Sequence, residues 1–311
     1  MRAERHKKKK RTWLRVFGMI LLLGMLSAGV YGFSVYHSLS KAVDAMQQPM
    51  ERKKPDKRAE AVTIAKKVPF SILLLGVDER KGDRGRSDTM IVLTVNPNLN
   101  SVKMLSIPRD TRTQIVGKGI EDKINHAYAF GGVDMSVATV ENFLNIPIDY
   151  YMKINMIGFR DIVNSLGGVT VKNDLNFSYD HTHFAKGEIT LTGDQAIKFT
   201  RMRHQDPRGD FGRQLRQREI IQAIIHRGVS INSLTNYDSI FQALSKNIKT
   251  NLRFDEMINI QKDYKDAAKN IQQISLEGKG TRINNIYYLE VSPEEKQKIQ
   301  DELRGQLELN K

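Results

Sequence analysis

The chain has 311 residues, with 49 Lys and Arg against 35 Asp and Glu, and no cysteine. A length near 300 suggests one large or two modest domains, and 40% hydrophobic with 27% charged residues excludes a disordered chain and a polytopic membrane protein. The lack of thiols excludes disulfides, thiolate zinc sites, iron–sulfur clusters and a cysteine nucleophile, while a formal charge of +14 suggests nucleic acid or an anionic membrane surface as a partner.

The position of the charge decides between those partners. Arg2, Arg5, Lys7, Lys8, Lys9, Lys10, Arg11 and Arg15 are opposed by Glu4 alone, and Val16–Tyr36 follows without a charge. As a helix that run spans roughly 31 Å, enough to cross a bilayer's hydrocarbon. Trp13 at one end, with Tyr31 and Tyr36 at the other, suits the two interfaces. The rival reading, a cleaved signal peptide, fits less well because the run is long and has no A-x-A site. The expectation is a single-pass type II signal anchor with a cytoplasmic arm at 1–15, a span at 16–36 and the rest outside. Nucleic acid is thereby excluded as a partner. Residues 37–67 are polar, contain Pro49 and Pro55, and read as a partly helical stalk on the outer side.

A globular texture begins at Val68. Phe70–Gly76 is a continuous apolar run typical of a buried strand, followed by strand patterns at Met90–Val95 and Val102–Ile107. Asn96-Pro97-Asn98 marks a turn between the last two. If the three form an antiparallel meander, the 77–89 loop and Pro108-Arg109-Asp110 emerge at the same edge. That edge would collect Asp78, Arg80, Arg86, Asp88 and Arg109. Downstream, Asp122–Phe130, Met135–Leu144, Ile157–Leu166 and Gln195–Met202 read as helices, with strands at Tyr150–Ile154 and Val169–Val171. The alternation predicts an α/β fold, a mixed central sheet with helices on both faces. The main domain is expected over 68–228. Residues 229–311, with a helix at Phe254–Asp266 and a strand at Ile283–Val291, are expected to pack on it or complete it.

The most informative helix is predicted from Asp210 to Arg227. Asp210, Arg213, Gln217, Ile220, Ile221 and Ile224 share one face, polar for two turns and apolar afterwards. A buried arginine needs an anion, and a helix N-terminus adds free N–H groups and partial positive charge. The pattern describes either an anion site where an apolar interior begins or an internal Arg–Asp network. Other constellations are weaker. P-loop and G-x-S-x-G motifs are absent from the sequence. His181 and His183 suit a polar loop better than a metal site, and Gly117-Lys118-Gly119 and Gly278-Lys279-Gly280 read as turns.

Four separated motifs, FSILLLGVDERKGDRGRSDTM, MLSIPRDT, KINHAYAFGG and FTRMR…DPRGDFGRQLRQRE, resemble in order and spacing those of the LytR–CpsA–Psr family of Gram-positive cell-wall proteins. The resemblance covers roughly Phe70 to Arg227 and is nearest to the branch that attaches wall teichoic acid. It implies a membrane-anchored, extracytoplasmic phosphotransferase that moves an anionic glycopolymer from a polyprenyl-pyrophosphate carrier to peptidoglycan. It further implies Asp78 and Asp88 as ligands of Mg²⁺, or of Mn²⁺. Arg80, Arg86, Arg109, Arg201, Arg203, Arg213 and Gln217 are implied around the pyrophosphate, and Arg109, Asp88, Arg203 and Asp210 as the residues of the chemistry. Such chemistry needs arginine forks and a hard cation more than a strong nucleophile. A polyprenyl-phosphate sensor that does not turn over and a polyprenyl pyrophosphatase are the alternative functions.

Overall fold

A computed structural model describes residues 5–52, 54–79, 85–229 and 245–309. α1 (Arg5–Met46) is the one helix among the described residues long and apolar enough to cross a membrane. It does not end near Tyr36. Val35, Leu39, Ala42, Val43 and Met46 recur at helical spacing and bury against the domain, so the helix continues to Met46. Nor is the segment after it a free stalk. Arg52 pairs with Glu141, Arg58 donates to Asp149 at 2.6 Å, and the Gln48 N–H reaches the Thr250 carbonyl at 2.7 Å. Lys and Arg spacing does not reveal such partners, which lie about ninety residues away in the chain.

β1 (Phe70–Val77), β2 (Ser87–Asn96) and β3 (Ser101–Ile107) form the expected meander. A hairpin, β4 (Arg112–Ile115) and β5 (Ile120–Lys123), turns at Gly117-Lys118-Gly119 and occupies the start of what reads as helix at Asp122. α2 (His126–Leu144) follows, broken at Gly131-Gly132. Next come β6 (Tyr150–Asn155), α3 (Met156–Ser165), β7 (Val169–Asn173), the hairpin β8 (Phe177–Tyr179) and β9 (Thr182–Phe184), and β10 (Gly187–Leu191). α4 (Gly193–Arg201) opens with a capping box, the Thr192 hydroxyl accepting from the Gln195 N–H. α5 (Asp210–Val229) is the amphipathic helix. β11 (Ile248–Thr250), α6 (Phe254–Asp263), β12 (Ile271–Ser275), β13 (Lys279–Ile283), β14 (Ile286–Glu290) and α7 (Pro293–Gln306) complete the described chain. Two expectations need correction here. The single strand expected over 283–291 is half of a hairpin turned at Asn284 and Asn285, both at positive φ, which strand periodicity does not register. Lys279 starts β13, so the glycines around it are not a turn.

The six-stranded sheet has the order β11-β6-β1-β2-β3-β12. β1, β3, β6 and β12 run in one direction, β2 and β11 in the other. Alternation sends Leu73, Leu75, Met90, Val92, Leu105 and Ile107 to a core beneath α2 and α7. Phe70, Ile91, Leu93 and Met104 face the opposite core, closed by α5 and α6. Helices thus cover both faces. The segment from 248 onward supplies both edge strands of the sheet.

Candidate functional site

At the carboxyl edge of the four like-directed strands, β1 leads into the 78–86 loop, and β3 into Pro108-Arg109-Asp110. Open α/β sheets bind ligands at such an edge. Gly76 pairs with Thr89 and Val77 with Ser87, which leaves Asp88 as the extra residue of a β-bulge. A bulge re-aims the side chain it carries. The loop is closed by the Asp78 N–H donating to the Arg86 carbonyl at 3.3 Å. Gly85 sits at φ +68°, where an added Cβ would lie 2.1 Å from the Asp78 carbonyl oxygen, so this turn needs glycine.

Arg109 Nη1 donates to Asp88 Oδ1 at 2.8 Å, and its Nε lies 3.6 Å from Asp110 Oδ2. Asp110 in turn accepts from Lys123 Nζ at 2.7 Å. Across the site, at the first turn of α5, Arg213 Nη2 lies 2.8 Å from Asp210 Oδ1. Burial opposes the charge of Arg109, but the hydrogen bond to Asp88 and the fields of Asp88, Asp110 and Asp210 outweigh it and raise its pKa. For Arg213 burial wins. Asp210 and Asp88 favour its charge, Arg109 and Arg203 oppose it, and the net pKa falls. Those mutual fields place Arg109, Arg203, Arg213, Asp88 and Asp210 in one cluster. The Nε of both Arg109 and Arg213 is buried without a hydrogen-bond acceptor. Donors in that state suit an anion with several oxygens.

The remaining expected residues sit at various depths. Asp78 and Arg86 face each other across the loop closure, with Arg86 exposed. Arg201, the last residue of α4, is exposed, and Gln217 is half-buried one turn beyond Arg213. Arg80 lies outside the described residues. His183 bonds Ser178 in an exposed hairpin, and among the described residues no group of three His, Asp or Glu could hold a metal. Asp78 and Asp88 lie at the two ends of the loop, Asp88 already accepting from Arg109; Mg²⁺ accepts as few as one or two carboxylates when phosphates and water supply its other ligands.

Sequence periodicity overlooked the staple that positions these groups. Arg216, only 1% exposed, pairs with Asp206 and donates from Nε to the Phe199 carbonyl at 3.0 Å and from Nη2 to the Met202 carbonyl. Its guanidinium lies over the rings of Phe177 and Phe199. It therefore holds the 199–206 turn, which carries Arg201 and Arg203, against α5. Burial opposes ionisation of Asp206, yet hydrogen bonds from the Arg208 side chain and backbone and from Arg216 hold its pKa at about 2. α5 thus carries both an internal Arg–Asp pair, at Arg216, and, one turn earlier, an arginine with a buried N–H that lacks an acceptor, at Arg213. Tyr128 was overlooked too. Its hydroxyl donates to Glu79, beside Asp78, and Lys153 Nζ reaches the same oxygen at 2.9 Å. The A-Y-A-F run just ahead of two glycines was the available signal.

Comparison with known proteins identifies the family. The model of the LytR_cpsA_psr family matches residues 33–305, well beyond the motif-bearing segment. A relative from Bacillus cereus (strain ATCC 14579), the polyisoprenyl-teichoic acid–peptidoglycan teichoic acid transferase TagU, is 53% identical over 304 residues, 97% of this chain and all of the relative. The crystal structure of B. subtilis TagU superposes with a TM-score of 0.65 at 51% identity, covering 78% of this chain and 97% of that one. A structure of TagT bound to LIIa-WTA gives a TM-score of 0.71 at 33% identity over 82% and 97%.

Proposed function

Because the chain belongs to the LytR–CpsA–Psr family, we propose that it is a polyisoprenyl-teichoic acid–peptidoglycan teichoic acid transferase. α1 anchors it in the cell membrane, with the basic arm cytoplasmic and the α/β domain outside. Its donor is a teichoic acid on a polyprenyl pyrophosphate, and its acceptor is a hydroxyl of peptidoglycan. The observation that carries this reading is the pair of buried guanidinium N–H groups, one on Arg109 and one on Arg213, that have no acceptor within hydrogen-bond distance.

In this mechanism Arg109, Arg203 and Arg213 grip the pyrophosphate oxygens, with Arg86, Arg201 and Gln217 at its rim. The acceptor oxygen bonds to the phosphorus that carries the polymer. The bond from that phosphorus to the bridging oxygen breaks, polyprenyl phosphate departs with the bridging oxygen, and the hydroxyl proton goes to solvent. Charge accumulating on the phosphoryl oxygens is met by guanidinium groups already in place, so little reorganisation opposes the step. Mg²⁺ or Mn²⁺, when held by Asp78 and Asp88, would neutralise further phosphate charge. Asp88 and Asp210 keep Arg109 and Arg213 oriented between turnovers. The prenyl chain follows the α5 face, where Ile221 and Ile224 are half-buried beyond the polar turns.

The test is reconstitution of the full chain in detergent with lipid-linked teichoic acid, Mg²⁺ and peptidoglycan, with and without chelator. Polymer bound covalently to peptidoglycan, lost on chelation, is the expected result. Polymer phosphate released into solution with none on peptidoglycan would make the protein a pyrophosphatase. Tight lipid binding without any product would make it a sensor.

A further inference from the structure

The two halves of α2 are aimed separately. Gly132 sits at φ 65° and ψ −145°, a conformation closed to side-chain-bearing residues, so the turn 126–130 is uncoupled from the rest of the helix. Tyr128 points inward from that turn and is locked to Glu79, next to Asp78. His126 and Phe130, four residues apart, share a face roughly opposite to Tyr128. Phe130 is 39% exposed although its turn is anchored on the site. Its ring meets the His126 ring edge-on at 6.1 Å, and Lys118 Nζ, from the β4–β5 turn, lies 5.4 Å from its centroid. A chain of contacts joins this ring to the anion site. His126 Nδ1 lies 2.7 Å from Asp122, Asp122 accepts from the Tyr288 hydroxyl at 3.4 Å, Lys123 lies over the Tyr288 ring, and Lys123 pairs with Asp110 beside Arg109.

In-line phosphoryl transfer fixes which substrate this surface meets. The leaving lipid phosphate departs on the α5 side of the sheet edge, so the attacking hydroxyl arrives from the other side. That side is the one covered by α2 and the β4–β5 hairpin. We propose that Phe130, flanked by Lys118 and His126, is the platform on which the glycan strand of the peptidoglycan acceptor lies as its hydroxyl enters the site. A sugar ring presents C–H groups to the negative face of an aromatic ring, and Lys118 and His126 supply polar contacts to its oxygens. The inference rests on the transfer reading above.

The experiment compares the full-length wild type with Phe130→Ala, Phe130→Tyr and Lys118→Ala, varying peptidoglycan at saturating lipid-linked polymer. Phe130→Ala is expected to raise the acceptor KM about tenfold, as loss of one stacking contact does. Donor affinity and melting temperature should be unchanged, and Phe130→Tyr should restore the wild-type KM. An unchanged acceptor KM in Phe130→Ala would overturn the proposal. So would an equal fall in donor affinity, which would assign the platform to the polymer. Should the wild type itself move no polymer, the transfer reading fails. The platform is then judged by titrating soluble glycan fragments into wild type and Phe130→Ala, and equal binding to the two would reject it.

Discussion

Arg109→Ala separates a role in chemistry from a role in folding. Removing one charge-assisted donor to a phosphoryl transition state costs about 2–4 kcal/mol, a fall of roughly 30- to 1000-fold in rate. The structural cost is far smaller. The Arg109–Asp88 pair is partly open to solvent, with 27% and 34% of the side chains exposed. Such a pair contributes about 1 kcal/mol or less to stability. Asp110 keeps Lys123 and Asp210 keeps Arg213 in the variant, so only Asp88 loses its ion-pair partner among the described residues. Arg109→Lys retains the charge but not the planar fork, and should fall between wild type and Ala. The assay is polymer transfer to peptidoglycan by full-length protein, alongside thermal melting of each variant. A kcat/KM within threefold of wild type in Arg109→Ala would refute the assignment. A collapse of melting temperature in step with activity would make the residue structural.

Three other perturbations probe neighbouring parts of the molecule. Arg216→Ala breaks a fully buried pair and is expected to destabilise the protein by about 3–5 kcal/mol, read as a large drop in melting temperature; a shift of a degree or two would contradict the staple. Burial, reinforced by Asp174, pushes the Glu219 carboxyl up to about 7, so the stability it permits is present below about pH 4.5 and is lost as pH rises through 7. Glu219→Gln should accordingly raise the melting temperature at pH 8 and leave it unchanged at pH 4, and equal effects at both would dismiss the burial cause. On α5, Ile220 is fully buried whereas Ile224 is half-buried. Ile224→Asp should therefore fold and bind a short-chain prenyl pyrophosphate nearly as wild type does, yet fail to gain affinity as the chain lengthens; a folded variant with the full chain-length preference would move the lipid elsewhere.

The sequence by itself determined the parts of this protein that depend on local periodicity. The uncharged run at 16–36, the apolar strand runs and the polar-to-apolar face of α5 each encode burial within a few turns, so their existence and order were legible. The meander was legible as well, because one turn signal sets strand direction, and direction alone brought the 78–88 loop beside Arg109. Only the tertiary structure decided which partners each charge meets and which buried N–H groups stay without an acceptor. Arg213 and Arg216 are three residues apart on one helix and indistinguishable by type. Arg216 meets Asp206 across a turn and becomes a strut, while Arg213 keeps a buried N–H without an acceptor. The same holds for the end of α1, which continues past Tyr36 because β11 and α6, some two hundred residues later, offer a surface for Val43 and Met46. Partner choice is a long-range property. The burial of a charge depends on what the rest of the chain brings to it, and a helix ends where the contacts that bury its face run out.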